Sequence, residues 1–398
     1  MEFAVGLANY MRTGGIDGLM DFQGQVNETA MSAAAGESLP PVLQDIECLK
    51  IHQVENDENQ LPDDATISVD HFKVLKHIGG GAYGEVAAVK KTTGKDKDVI
   101  YAMKAMAKTK MSKNKDMVDH EFNILTTIKN PFFMTMKYSF QSARHLIFIM
   151  PLAGGGDLLA KLEKMNREET DKFMSYDEAF FYLLELVEGV GYLHDKNILH
   201  RDLKLENLLI ANDGHLLITD YGLSATHVAS DDDAEGTVGT RHTMAPEIHL
   251  KQNYGPAADW WAVGVTYCDM RSGKQLWPGE KSIDYSNNTV TKRAKLPAEL
   301  TAWERGFLKQ IFVANPVNRL GYGEKGTEKF KAANFFKKVN WEDVLAKKLT
   351  PPFIPTTEEI STFVCFPESA KLNNKFPQFE HKVPLYWTDI DYIAPDLL

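Results

Sequence analysis

Cysteine is scarce in this chain of 398 residues. Cys48, Cys268 and Cys365 lie far apart and form no C-x-x-C pair, which speaks against a disulfide framework and against a thiolate zinc site. No uninterrupted apolar run approaches the length of a membrane span. The opening Met1-Glu2-Phe3-Ala4-Val5-Gly6-Leu7 lacks a basic stretch, so it does not read as a secretory signal. Positive charge is also missing. The formal net charge is -11, and it is carried by residues 1–70, where thirteen acids stand against Arg12 and Lys50 alone. The remainder is balanced, so no basic field draws the chain to nucleic acid or anionic lipid. The expectation is an intracellular chain, in cytoplasm, nucleus or both, that is monomeric and binds neither nucleic acid nor membrane.

What is present is organised unevenly. Residues 1–68 mix Gly, Ala, Asn, Gln and acids with little periodicity, which predicts a disordered acidic extension suited to regulatory partners. From Phe72 the texture changes. Phe72–Leu75, Val86–Val89 and Val99–Lys104 read as strands, the first two flanking a glycine turn. A helix is expected over Lys115–Ile128, and the apolar run Leu146–Leu152 ends at Gly154-Gly155-Gly156, where a small lobe can hinge onto a larger one. Helical apolar spacing then recurs over Asp177–His194, Asp259–Met270 and Trp303–Val313.

The most informative string is His200-Arg201-Asp202-Leu203-Lys204-Leu205-Glu206-Asn207. A γ-phosphoryl group passes through a loose, highly charged transition state, so its transfer needs positioning and charge neutralisation more than covalent chemistry. Asp202 is placed to receive a hydroxyl proton and Asn207 to hold magnesium. Mixed charge of this kind is commonly a solvated loop, but the spacing fits H-R-D-L-x-x-x-N at every specified position. Gly79-Gly80-Gly81-Ala82-Tyr83-Gly84-Glu85-Val86 fits G-x-G-x-x-G-x-V between two strands rather than between a strand and a helix, which favours a phosphate-covering hairpin over a dinucleotide site.

In these motifs the chain resembles the protein kinases. The resemblance implies an α+β bilobal protein kinase fold, with a small antiparallel β-sheet N-lobe carrying one helix (72–153) and a mostly α-helical C-lobe (154–336). It also implies ATP and magnesium. Lys104 would pair with the α and β phosphates and Glu121 with Lys104; Lys204 would stabilise the transferred phosphoryl; Asp220, in Asp220-Tyr221-Gly222, would join Asn207 on the metal. Ile78, Val86, Ala102 and Leu209 would line the nucleotide pocket, Met150 would be its gatekeeper, and Pro151 and Ala153 would meet the adenine through their backbones. Glu247 of Ala245-Pro246-Glu247 would pair with Arg319, and Asp259 would brace the catalytic loop. Tyr221 departs from the family's Phe, and Pro151 from its usual Glu.

Residues 337–398, with Phe335-Phe336 before them and Pro351-Pro352-Phe353 within, resemble the C-terminal tail of the AGC group, and the chain is most similar to the N-terminal kinase domain of mitogen- and stress-activated and ribosomal kinases. The tail's end, 387–395, resembles that group's hydrophobic motif, with Asp391 at the phosphoserine position. Gly236 stands where the activation segment is ordinarily phosphorylated, and Thr237 beside it remains a phosphoacceptor. Asp231, Asp232, Asp233 and Glu235 are the acids expected to reach Arg201 in place of the phosphate, which predicts constitutive activity. Asp157, Glu206 and Asp269 resemble the acids that contact arginines of basic substrates. The alternative is a pseudokinase scaffold, suggested by Gly236, Tyr221 and Pro151; a small-molecule phosphotransferase fits the Ala-Pro-Glu segment and the tail poorly.

Overall fold

The computed structural model describes residues 67–80, 84–111, 115–167, 173–277, 282–364 and 392–397. Its first half is a six-stranded antiparallel sheet in the order β1-β2-β3-β5-β4-β8, made of β1 (Phe72–Gly80), β2 (Glu85–Lys91), β3 (Ile100–Ala107), β4 (Tyr138–Gln141), β5 (His145–Pro151) and, from the far end of the chain, β8 (Tyr392–Ile393). The alternation of β3 decides its two faces. Tyr101, Met103 and Ala105 point into one apolar cluster with Phe72, Tyr138 and Ile149, whereas Ala102 points to the other side with Val86, Ala88 and Leu152. The short helix α1 (Lys108–Met111) follows β3, and α2 (Lys115–Thr127) carries Glu121 back to the sheet.

Ile67 is buried against this sheet. The folded body therefore takes in residues 67 and 68, which the sequence assigned to the acidic extension. A single apolar residue after a run of acids carries no periodic signal. Residues 1–66 lie outside the described residues.

The second half is helical. It contains α3 (Leu158–Arg167), α4 (Tyr176–Asp195), the hairpin β6 (Leu208–Ile210) and β7 (Leu216–Ile218), α5 (Pro246–His249), α6 (Pro256–Ser272), α7 (Ser282–Thr291), α8 (Ala302–Ile311), α9 (Gly326–Lys331), α10 (Trp341–Leu345) and α11 (Thr357–Val364). Ser175 caps α4 through a 3.2 Å bond from the Glu178 amide, and Thr301 with Glu304 forms a reciprocal capping box on α8. Every residue of α6 from Ala257 to Ser272 is buried, as expected of a helix at the centre of a lobe, and Gly273 in the left-handed region ends it. Among the described residues, no helix is long and apolar enough to cross a membrane.

Candidate active site

The catalytic string is held from below by α6. Both oxygens of Asp259 accept from the loop backbone, Oδ2 from the His200 amide at 2.9 Å and Oδ1 from the Arg201 amide at 3.0 Å, and Oδ2 also meets His194 Nε2 at 3.0 Å. Burial pushes this carboxyl up, but His194 and the loop amide outweigh it and keep it below the usual range. Asp202 is then fixed from three sides. Thr240 Oγ1 donates to its Oδ1 at 2.6 Å, Lys204 Nζ lies 2.9 Å from its Oδ2, and Asn207 Nδ2 donates to its Oδ2 at 3.1 Å and to its carbonyl at 2.7 Å. Burial opposes ionisation here too, yet the donors from Thr240 and Lys204 prevail and hold Asp202 below an ordinary carboxylate. Lys204 bridges on to Thr240 at 2.9 Å, so the three side chains form one closed triangle.

The β6–β7 hairpin brings the two proposed metal ligands to one end. Its register pairs Leu208 with Ile218, and Thr219 donates to the Asn207 carbonyl at 3.0 Å, so Asn207 and Asp220 flank the same open edge. Since Asn207 Nδ2 is committed to Asp202, its Oδ1 remains the acceptor. That oxygen with the Asp220 carboxylate makes a hard donor pair of the kind magnesium uses when phosphates and water complete its shell. Among the described residues, no group of three or more His, Cys, Asp or Glu forms a metal cage.

Across the cleft, Lys104 Nζ on β3 lies 2.5 Å from Glu121 Oε1 on α2. Ile78, Val86 and Ala102 share one apolar cluster, Met150 pairs with Ala102 and Pro151 with Tyr101 at the end of β5, and Ala153 is buried just beyond; Leu209 lies half-buried on β6. Gly79, Gly80 and Gly84 bound the glycine turn, while Gly81, Ala82 and Tyr83 lie outside the described residues. Glu85 reaches across Gly80 to meet His77 Nε2 of β1 at 2.6 Å. Tyr221 is fully buried, tilted edge-on to His200, with its hydroxyl donating to the Ile218 carbonyl; burial raises its phenol well above the usual value.

Charge at the activation segment is disposed differently from the expectation. Arg201 donates to the carbonyl of Leu223 at 2.5 Å, that of Ser224 at 3.3 Å and the hydroxyl of Tyr254 at 3.4 Å, and to none of the four acids. Asp231 instead takes the amides of Ala257 at 2.8 Å and Gly323 at 2.6 Å, and Asp233 takes those of Ala229 and Ser230. Local backbone donors win because they lie within reach of short side chains and orphan amides at a helix start demand acceptors. Gly255 permits this approach, since a Cβ there would collide with the Ser230 carbonyl and the Asp231 backbone. Gly236 has φ 90, a conformation that a Thr or Ser would adopt only under strain.

Residues 72–335 match the protein kinase domain family. The chain belongs to the protein kinase family. It is similar to ribosomal protein S6 kinase alpha-6 of Danio rerio, at 32% identity over 79% of this chain and 40% of that protein. It is likewise similar to serine/threonine-protein kinase AtPK2/AtPK19 of Arabidopsis thaliana, at 36% over 78% and 66%, and to ribosomal protein S6 kinase beta of Caenorhabditis elegans, at 35% over 75% and 54%. This kinase thus spans between two fifths and two thirds of the length of these relatives. Its two lobes are those of the bilobal kinase fold, with β1–β5 and α2 above and the helical lobe below.

Several residues at the kinase site escaped the sequence reading. Nothing local to Thr240 announces that its hydroxyl reaches a carboxylate 38 residues earlier. Tyr254 was likewise invisible, and Asp231 was read only as a partner for Arg201, not for the two amides it takes. Helix α11 lies where only a tail was expected, and its Ile360 and Val364 join Ala102 and Leu152 beside the nucleotide pocket; their i, i+4 spacing was the available signal. Tyr392, at the tail's end, meets Phe122 of α2 edge-on at 6.4 Å, next in sequence to Glu121. Asp391 and 387–390 lie outside the described residues.

Proposed function

We propose that this chain is a protein serine/threonine kinase that transfers the γ-phosphoryl of ATP to hydroxyls in basic, arginine-containing protein substrates inside the cell. The observation that carries the reading is the Asp202–Lys204–Thr240 triangle. A carboxylate held ionised by its neighbours is suited to accept a hydroxyl proton, and the ammonium beside it is suited to neutralise charge on the transferred group. Asn207 and Asp220 would hold magnesium, which supplies charge neutralisation and orientation to the phosphates when bound. Lys104, steadied by Glu121, would hold ATP, with Ile78, Val86, Ala102, Met150 and Leu209 around the base. A pseudokinase role has less support, because none of these side chains is missing.

Basic substrates are favoured by three acids. Asp157 follows the hinge, Glu206 is exposed in the catalytic loop, and Asp269 sits on α6; the charge of Glu206 is felt at both others, raising each carboxyl further after burial has done so. Constitutive activity draws support from a different source than the one the sequence suggested. With glycine at 236, the segment is tied by Asp231 and by the paired amides and carbonyls of Ala234 and Tyr254, both at 2.9 Å, none of which needs a phosphate. The deciding experiment incubates the purified chain with magnesium, labelled ATP and an Arg-containing Ser peptide beside an Asp202→Asn control. Equal incorporation in both would end the enzyme reading.

A further inference from the structure

Asp269 is an awkward residue to leave where it is. It is 7% exposed on α6, and one of its oxygens, Oδ1, is buried with no hydrogen-bond partner among the described residues. Its other oxygen, Oδ2, lies 3.2 Å from Nε2 of His242, on the segment between Thr240 and the Ala245-Pro246-Glu247 run. A buried carboxylate with a bare oxygen is costly unless a donor arrives. The donor already in place is an imidazole, and an imidazole can carry a charge or not.

We propose that His242 is a specificity-determining residue that competes with the substrate's basic side chain for Asp269. Protonated, His242 neutralises the carboxylate and repels an incoming guanidinium. Neutral, it still donates from Nε2 to Oδ2 and orients the carboxylate, whose negative charge is then left uncompensated for the substrate cation. Binding of a basic peptide is thereby linked to release of a proton from His242 to solvent. The inference rests on the reading that this kinase takes basic substrates.

The charges around the pair are consistent with this competition. From the catalytic loop, Glu206 adds negative potential at Asp269, and burial with that potential pushes the Asp269 carboxyl up while His242 pulls it back. Within α6, the neighbouring Cys268 is a buried thiol pushed well above its usual range, so it brings no charge. Arg271, two residues on, is already paired with Glu304 at 2.7 Å. Beside His242, Arg241 reaches Ser286 of α7 at 3.2 Å, and His249 of α5 is held down by burial and by Arg241, so no second imidazolium replaces His242.

The test measures the peptide KM of the full chain between about pH 6 and pH 8, the range in which imidazoles titrate, with an Arg-containing Ser peptide and with the same peptide carrying Ala for Arg. For the wild type, the KM of the Arg peptide is expected to fall about tenfold as the pH rises, the size of a one-unit coupling, while the Ala peptide does not follow. His242→Gln keeps a donor but cannot titrate, so its KM for the Arg peptide should be flat across the range. Calorimetric binding of the Arg peptide in two buffers of different ionisation enthalpy supplies a readout that a merely structural role would not move: proton release in the wild type and none in His242→Gln. Equal pH profiles and equal proton release in the two proteins would overturn the proposal. If the Arg and Ala peptides are used alike at every pH, the basic-substrate reading falls as well, and the two failures are told apart by that comparison.

Discussion

The carboxylate of Asp231 accepts a 2.8 Å hydrogen bond from the amide of Ala257, in the first turn of α6, and its second oxygen takes the amide of Gly323 at 2.6 Å. An activation-segment residue therefore serves as the cap of the central helix of the large lobe. Replacing a capping side chain by Ala costs about 0.5–2 kcal/mol, and here two amides lose their acceptor together. Asp231→Ala should lower the urea midpoint and the rate of peptide phosphorylation together, with Asp231→Asn between it and wild type. An unshifted midpoint with full activity would show that the segment is held by other contacts.

Asp202→Asn should reduce peptide phosphorylation by about 10²- to 10⁴-fold, the usual worth of a positioned base. The amide still accepts from Thr240, so the loop is expected to keep its fold, and ATP affinity, followed by a fluorescent analogue, should change little. A large loss of ATP affinity would place Asp202 in binding rather than proton transfer.

Arg319 and Glu247 form a fully buried bidentate pair at 2.6 and 2.8 Å, with the guanidinium 4.9 Å over the Trp261 ring. Arg319→Met strands the carboxylate, and losing one partner of a buried pair costs about 3–5 kcal/mol. Arg319→Met combined with Glu247→Leu should recover part of that loss in chemical denaturation, because no charge is left unpaired.

Tyr221→Phe removes the hydroxyl that meets the Ile218 carbonyl and lies 3.5 Å from that of Met134. The expected cost is about 1 kcal/mol of stability, seen as a small drop in Tm. Phosphorylation should survive, since the ring packing against Phe133 and His200 is kept.

The pH dependence of stability has a definite sign at Asp259. Its carboxyl is held down in the fold despite complete burial, by His194 and the amide of His200. A depressed carboxyl contributes stability that is fully present above its unfolded value, about 3.9, and is lost as the pH falls through its folded value. Unfolding free energies measured from about pH 5 downward should therefore fall more steeply for wild type than for Asp259→Asn. Parallel slopes would assign the acid sensitivity to other groups.

The parts of the site that were legible in the sequence are those whose partners have fixed spacing. Asp202 and Asn207 lie in one short loop, the glycine turn sits between two adjacent strands, and Lys104 and Glu121 are separated by a strand and a single helix. Less legible were contacts between short polar side chains and backbone amides brought together only by the tertiary fold. Four acids near Gly236 suggested a partner for Arg201 because charge complementarity is easy to see in a sequence. Asp231 went to two amides instead, and Arg201 to carbonyls and Tyr254, because the unsatisfied amides of α6 and the carbonyls of 223 and 224 are not visible until the chain is folded. Strand and helix positions were read closely, as at Asp177–His194 against Tyr176–Asp195, but α11 was missed because its eight residues give little more than one turn of apolar spacing, from Ile360 to Val364.

The pairing of β8 with β4 joins Tyr138 to Ile393 and Ser139 to Tyr392, and Lys137 is bonded to Asp396 although 259 residues separate them. At about 5–20 residues per second of synthesis, the outer rim of β4 is bare for roughly 13–50 s before the strand that covers it exists. A bare rim is the part of a sheet most open to pairing with another chain. The small lobe is therefore a nascent-chain hazard: its sheet stays unfinished until most of the helical lobe has been made, and protection of that rim falls to whatever accompanies the chain off the ribosome.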